Sequence, residues 1–88
     1  MSDNKLDNLL KKYIFKLEKV LNYSKNTIIS YKRDLETFII YCNKMHVEDI
    51  SLVDEKIIRD FISSLHRNGI SPRSIKRSLS SLRGFFNF

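Results

Sequence analysis

The side chains with the clearest capacity for chemistry are the basic and hydroxyl residues in the last quarter of the chain. Residues 67–88 contain five Lys and Arg side chains and no Asp or Glu. With about 100° of rotation per residue on a helix, one face carries Arg73, Lys76, Arg77, Ser80 and Arg83, and Gly84 and Asn87 continue it. Such cations donate hydrogen bonds to phosphate oxygens and to guanine N7 and O6. This face predicts a contact with nucleic acid, and an ordinary solvated basic face is the alternative.

A second polar face lies between residues 24 and 37. Asn26, Ser30, Arg33 and Thr37 point away from the apolar positions of this segment, and the first turn also holds Lys25 and Thr27. Free backbone N–H groups in a first turn favour a phosphate. A mixture of donors with modest charge is typical of helices that contact bases. An ordinary exposed face, with a local contact from Arg33 to a neighbouring side chain, fits the same pattern equally well.

Residues able to carry out catalysis do not form a recognisable group. His46 and His66 have no second ligand at metal-binding spacing, and the chain has no Gly-rich phosphate loop. Cys42 is the only cysteine and falls on a predicted core face, where it is expected to be an inert packing residue. We therefore expect this chain alone to have no metal, no cofactor, no small-molecule ligand and no enzymatic activity.

Length and composition restrict the classes of protein that remain. The chain has 88 residues and a net charge of +6, so it can form one small domain with one core. Residues 47–66 are acidic, with five Asp and Glu against two basic residues. The chain has no apolar run long enough to span a membrane, and its N-terminal residues lack the apolar region of a secretory signal, so we expect no signal peptide. We expect a cytoplasmic, nucleoid-associated protein with its positive charge on one side.

Hydrophobic periodicity predicts an all-α bundle of four helices that positions these two faces. Apolar stripes of helical spacing occur over residues 6–21, 28–42, 57–65 and 75–86. Ser24 is the expected N-cap of the second helix. Ser51 and Asp54 suggest a capping box for the third helix, which ends at Gly69. Ser71 followed by Pro72 is the clearest helix start in the chain.

Two aromatic residues do not fit the pattern of a simple bundle. Phe15 lies on the opposite side of the first predicted helix from its apolar stripe, among lysines. We expect it to be exposed, where it is a candidate contact with another protein subunit. Phe88 follows the last helix without a polar tail, so the natural protein is expected to continue beyond it.

Two segments carry a family resemblance. Residues 24–38 fit the pattern S-x-x-T-x-x-x-Y-x-x-D-L-x-x-F, and residues 79–86 fit L-S-x-L-R-x-F-F. Both patterns, in this order and at this distance, resemble the N-terminal core-binding (SAM-like) domain of tyrosine recombinases, the phage integrase family. The similarity extends over about residues 5–88 and is greatest to the bacterial Xer recombinases.

The resemblance implies a function beyond the residue patterns. Members of this family clamp a double-stranded recombination site between this domain and a catalytic domain, which we expect beyond residue 88. The catalytic domain cuts DNA through a 3′-phosphotyrosyl intermediate. The resemblance assigns major-groove contacts to the following residues: Lys25, Asn26, Thr27, Ser30, Arg33, Arg73, Ser74, Lys76, Arg77, Ser80 and Arg83.

The resemblance also bears on partners. Because the first helix of the family contacts neighbouring protomers in a tetrameric synapse, Phe15 becomes a candidate for that contact. Tyr31 and Asp34 match the motif and are expected to be structural. Chromosome dimer resolution is the implied process. The core-binding domain of a phage or transposon integrase is one alternative, and a protein-interaction bundle that uses Phe15, Ile29 and Ile40 is another.

Overall fold

A computed structural model describes residues 5–88 and confirms the all-α fold class, with no β-strand in that range. It contains four α-helices and one short 3₁₀ helix. Their bounds are α1 Lys5–Lys19, α2 Lys25–Lys44, the 3₁₀ helix Ile50–Leu52, α3 Glu55–Arg67 and α4 Pro72–Phe86.

Helix α1 is shorter than its apolar stripe predicts. Leu6, Leu10, Tyr13 and Leu17 are buried, but the helix ends at Lys19. The predicted continuation of the stripe through residues 20 and 21 is wrong, because both side chains there are exposed.

Helices α2 and α4 begin where local capping chemistry predicts. The Ser24 side chain accepts a hydrogen bond from the Thr27 backbone N–H at 3.2 Å. Ser71 does the same for the N–H of Ser74 at 3.2 Å, and Pro72 occupies the first turn of α4. These bonds satisfy N–H groups that have no partner within the helix.

The start of α3 differs from the predicted capping box. Asp54 is the N-cap, and its carboxylate accepts from the Ile57 backbone N–H at 2.9 Å. Ser51 belongs to the preceding 3₁₀ helix, where its own N–H donates to Asp49. The prediction of Ser51 as N-cap is wrong, because two neighbouring acids each begin a separate helix in this segment.

The core lies where all four helices meet, and a group of aromatic rings lies within it. Phe38 of α2 is fully buried, and its ring contacts Phe61 of α3 at 5.1 Å and Phe86 of α4 at 5.9 Å between centroids. Helix α1 packs on α2, and α4 packs on both α2 and α3. Cys42 is also fully buried, as predicted, and burial raises the pKa of its thiol to about 11.

Helix α4 presents a different face to the core than hydrophobicity alone predicts. Ile75, Leu82 and Phe85 are buried as expected, but Leu79 is exposed while Ser78 and Ser81 are buried. Ser81 satisfies its hydroxyl by donating to the Ser78 carbonyl oxygen at 2.9 Å. Small serine side chains thus occupy the face where α4 lies against the rest of the bundle.

Candidate nucleic-acid interface

The outer face of α4 carries a row of cations. Burial of the opposite side leaves Arg73, Lys76, Ser80 and Arg83 exposed to solvent. Within residues 5–88, none of the three basic side chains in this row forms an ion pair. Such groups are available to a polyanion without first breaking an internal contact. We call Arg73, Lys76 and Arg83 the α4 cation row, and Ser80 lies among them.

Three of the five acids of residues 47–66 form ion pairs elsewhere. Glu55 pairs with Arg59 at 2.6 Å, and Asp60 pairs with Lys56 at 2.9 Å, each between successive turns of α3. Asp49 pairs with Lys5 of α1 at 3.3 Å. The acidic segment therefore leaves the α4 cation row without a carboxylate partner in the described part of the chain.

The polar face of α2 is less uniform. Lys25, Asn26 and Arg33 are exposed, whereas Thr27 and Ser30 are half-buried. The Thr27 hydroxyl accepts a hydrogen bond from Ser24 at 2.8 Å, so part of its bonding capacity serves the helix cap.

Ser74 has the matching position at the start of α4. Its hydroxyl oxygen lies 3.1 Å from that of Ser71. The hydroxyls of Thr27 and Ser74, both assigned to DNA contacts by the family resemblance, therefore contribute to helix capping in this structure.

Arg77 is the candidate whose environment differs most from the sequence expectation. Its Nε and Nη2 groups each donate to the Asp34 carboxylate at 2.8 Å. Asp34 is buried and lies on α2, so this pair joins the two helices that carry the candidate faces. Hydrogen bonding to Asp34 raises the pKa of Arg77 and keeps it charged. Sequence reasoning missed this pairing, although it placed Asp34 in a family motif and Arg77 among the candidate DNA contacts.

A shallow groove brings part of the two faces together. Arg33 and Thr37 from α2 and Ser74 and Arg77 from α4 line a cavity of about 180 Å³. Leu65 and Ile70 from the end of α3 and the following turn complete its wall. Thr37 belongs to the predicted polar face of α2 but was not among the residues assigned to DNA contacts, and Ile70 was not predicted.

The remaining candidates lie outside that groove, along α2 and α4. Lys25 borders a different groove, between α1 and α2, together with Ile14, Glu18 and Tyr23. The structure therefore brings together Arg33, Ser74 and Arg77, and it does not place Lys25 with them.

Two further sequence expectations concern residues outside the grooves. Phe15 is 60% exposed, which confirms its predicted outward position on α1. Gly84 does not continue the polar face of α4, because a Cβ atom at this position would collide with Tyr13 Oη of α1. Glycine there permits a close approach between two helices.

Within 5–88, no three His, Cys, Asp or Glu side chains are arranged to hold a metal ion. None of the helices described has the length and apolar character needed to cross a membrane.

Comparison with known proteins connects this geometry to a family. Residues 10–88 match the family described as "Phage integrase, N-terminal SAM-like domain". The chain is similar to the tyrosine recombinase XerC of Pseudomonas putida strain F1, with 34% identity over 90% of the chain and 26% of the relative. Similarity to XerC of Pseudomonas syringae pathovar syringae is 35% over 94% of the chain and 28% of the relative.

XerC of Xanthomonas campestris strain B100 is 35% identical over 72% of the chain and 20% of the relative. The chain spans about a quarter of the length of the first two relatives. No solved structure matches it significantly.

Proposed function

The chain belongs to the phage integrase N-terminal SAM-like domain family of tyrosine recombinases, and on this premise we propose that it is the DNA-binding core domain of a Xer-like recombinase. The observation that carries the proposal is the α4 cation row, which has no ion-pair partner among the described residues. Binding of phosphates by such groups releases condensed counterions, which is a large source of affinity for DNA.

The polar face of α2 provides the second half of the proposed interface. Arg33 lies in the same groove as Arg77 and Ser74 of α4, so one duplex is expected to contact both helices. Lys25, Asn26, Thr27 and Ser30 extend this surface along α2. Lys25 and Asn26, at the exposed start of the helix, are suited to phosphate contacts there.

The complete recombinase extends the proposal beyond this chain. Because the chain spans about a quarter of its XerC relatives, we place strand cleavage and the tyrosine nucleophile in a separate catalytic domain. The two domains clamp a recombination site, and four protomers form the synapse that resolves chromosome dimers. Phe15 is proposed to lie between protomers, and the protein to act at the nucleoid in the cytoplasm. This chain by itself is proposed to bind DNA without cutting it.

Salt-dependent binding of the 88-residue chain to a short double-stranded DNA tests the proposal. The affinity should fall steeply as salt concentration rises, because each phosphate contact adds about 0.9 to the slope of log K against log salt. Replacement of Lys76 by Ala should weaken binding and lower that slope by about 1. Fluorescence anisotropy with labelled DNA measures both quantities.

Arg59→Ala is the matched control. It removes the same charge from an exposed helix position, but Arg59 is paired with Glu55 on α3 and lies outside the proposed interface. Its affinity and slope should stay close to those of the wild type. Equal effects of Lys76→Ala and Arg59→Ala would show that only net charge matters, and the proposed interface would be wrong.

A protein-interaction bundle is the second candidate, and exposed apolar side chains favour it. Phe15, Ile29 and Ile40 are all about half exposed or more, and each lies on a helix. This function predicts self-association that Phe15→Ser abolishes, together with no DNA binding. Light scattering and the same anisotropy titration separate the two candidates.

A further inference from the structure

The Asp34–Arg77 pair occupies only one edge of the arginine guanidinium group. The carboxylate accepts from Nε and Nη2, both at 2.8 Å, which is the side-on arrangement of a guanidinium group. The Nη1–Nη2 edge has no acceptor within the described residues. A guanidinium carries donors on more than one edge, so one edge can be held while another binds.

The two partners differ in exposure in a way that matters. The Asp34 side chain is 7% exposed, whereas the Arg77 side chain is 40% exposed. The buried carboxylate is therefore fixed in the bundle, and the arginine reaches from it towards the surface. Arg77 also lines the groove between α2 and α4 beside Arg33 and Ser74.

We propose that Asp34 is a positioning residue that holds Arg77 so that its Nη1–Nη2 edge donates to two adjacent acceptors on DNA. This rests on the proposed DNA-binding function and deepens it. The acceptor pair is either N7 and O6 of a guanine or two oxygens of one phosphate, since both accept a bidentate arginine. Holding the side chain in advance lowers the conformational cost of binding.

A neutral replacement of Asp34 tests the proposal, because the expected change in DNA affinity is opposite to the one that net charge predicts. Asp34→Asn raises the net charge of the domain, so simple electrostatics predicts tighter binding to DNA. If Asp34 positions Arg77, the affinity should instead fall by about tenfold, the scale of one lost bidentate contact. Circular dichroism at the binding temperature checks that the variant is folded.

Glu36→Gln is the matched control for this charge change. Glu36 lies two positions further along α2, is exposed and has no ion pair among the described residues. It undergoes the same change of charge without touching Arg77, so its affinity should equal or exceed that of the wild type. Equal affinities for Asp34→Asn and Glu36→Gln would overturn the proposal.

A paired replacement keeps the test valid if Asp34→Asn folds poorly. Asp34→Leu combined with Arg77→Met leaves the net charge unchanged and replaces the ion pair by apolar packing, which proteins often tolerate. The paired variant should fold and still lose about tenfold in affinity. Wild-type affinity in the folded paired variant would make the ion pair purely structural and refute the proposal.

The two acceptors are separated by the DNA used. Substitution of guanine by 7-deazaguanine removes N7 but leaves O6, so the loss caused by Asp34→Asn should be smaller on this duplex if a guanine is contacted. The loss should be unchanged if a phosphate is contacted. Failure of the wild-type chain to bind any duplex would overturn the proposed function itself, whereas wild-type binding with a neutral effect of Asp34→Asn refutes only the positioning role.

Discussion

The effect of Gly84→Ala on the free energy of unfolding should change sign according to the residue at position 13. In a helix interior, Ala is more favourable than Gly by about 1 kcal/mol. A Cβ atom at position 84 of α4 collides with the hydroxyl oxygen of Tyr13. The Tyr13 ring contacts Phe85 and Phe88, with centroids 5.7 and 5.4 Å away, so it has little freedom to move aside.

The two contributions give the expected magnitudes. Overpacking in a core costs about 1–3 kcal/mol, so Gly84→Ala should lower the free energy of unfolding by a net amount of about 1 kcal/mol after the helix gain. In a Tyr13→Phe background the colliding oxygen is absent, and the next atom, Cζ, lies 3.4 Å from the new Cβ, an ordinary contact. There Gly84→Ala should stabilise the domain by about 1 kcal/mol.

Urea unfolding followed by circular dichroism measures the four proteins of this cycle. With a denaturant slope of about 1 kcal/mol/M, the midpoint should shift by about 1 M in opposite directions in the two backgrounds. The same stabilising shift in both backgrounds would refute the packing argument. DNA affinity of the Tyr13→Phe, Gly84→Ala protein should match that of Tyr13→Phe, because Gly84 faces α1 and not the proposed interface.

Three further predictions concern individual residues. His46 (φ 60°) and Gly69 (φ 77°) have left-handed conformations after α2 and α3. His46→Gly should therefore raise the free energy of unfolding by about 1 kcal/mol, and Gly69→Ala should lower it by about the same amount. Urea midpoints of the two variants that shift in the same direction would contradict this. Burial raises the pKa of Cys42 from 9.0 to about 11, so its stabilising contribution is complete below pH 9 and is lost as pH rises through about 11. Cys42→Ala should show a shallower decline over this range in unfolding measured at several pH values, and parallel curves would exclude the thiol. Phe38→Ala should cost about 3–5 kcal/mol and Phe15→Ala less than about 0.5 kcal/mol in thermal unfolding, since one ring is fully buried and the other 60% exposed.

The starts of α2 and α4 and the end of α3 were predictable because their chemistry is local. Ser24, Ser71 and Gly69 each act within a few residues of the chain, and each occupies its expected position. The start of α3 was ambiguous because Asp49, Ser51 and Asp54 all have side chains suited to capping. When several nearby residues have similar capping ability, the local sequence does not indicate which one begins the helix, and tertiary packing decides.

The buried face of α4 shows a limit of hydrophobic patterns. Leu79 was expected in the core, but Ser78 and Ser81 lie there instead. Where two helices approach closely, side-chain size matters as much as polarity, and a serine can satisfy its hydroxyl on its own helix. Periodicity therefore predicted the existence of α4 and most of its core residues, but not its rotation against the bundle.

The candidate interface was predictable in its charge but not in its pairing. Sequence spacing separates Asp34 from Arg77 by 43 residues, and no local rule indicates which cation meets a buried acid. Removal of Arg77 leaves the buried Asp34 carboxylate without its partner, so Arg77→Ala should destabilise the domain as well as weaken DNA binding.

In the proposed DNA complex, the pattern of ion pairs, more than the net charge, decides which cations are available to contact DNA. Arg77 forms a neutral pair with Asp34, so it adds little to the long-range field and contributes mainly a fixed set of donors. Arg73, Lys76 and Arg83 have no such partner among the described residues, and in the proposed complex they provide the attraction that depends on salt. The two kinds of cation lie on one helix, α4, and we propose different roles for them. The unpaired row would attract the duplex to the domain, and the held arginine would contact one point on it.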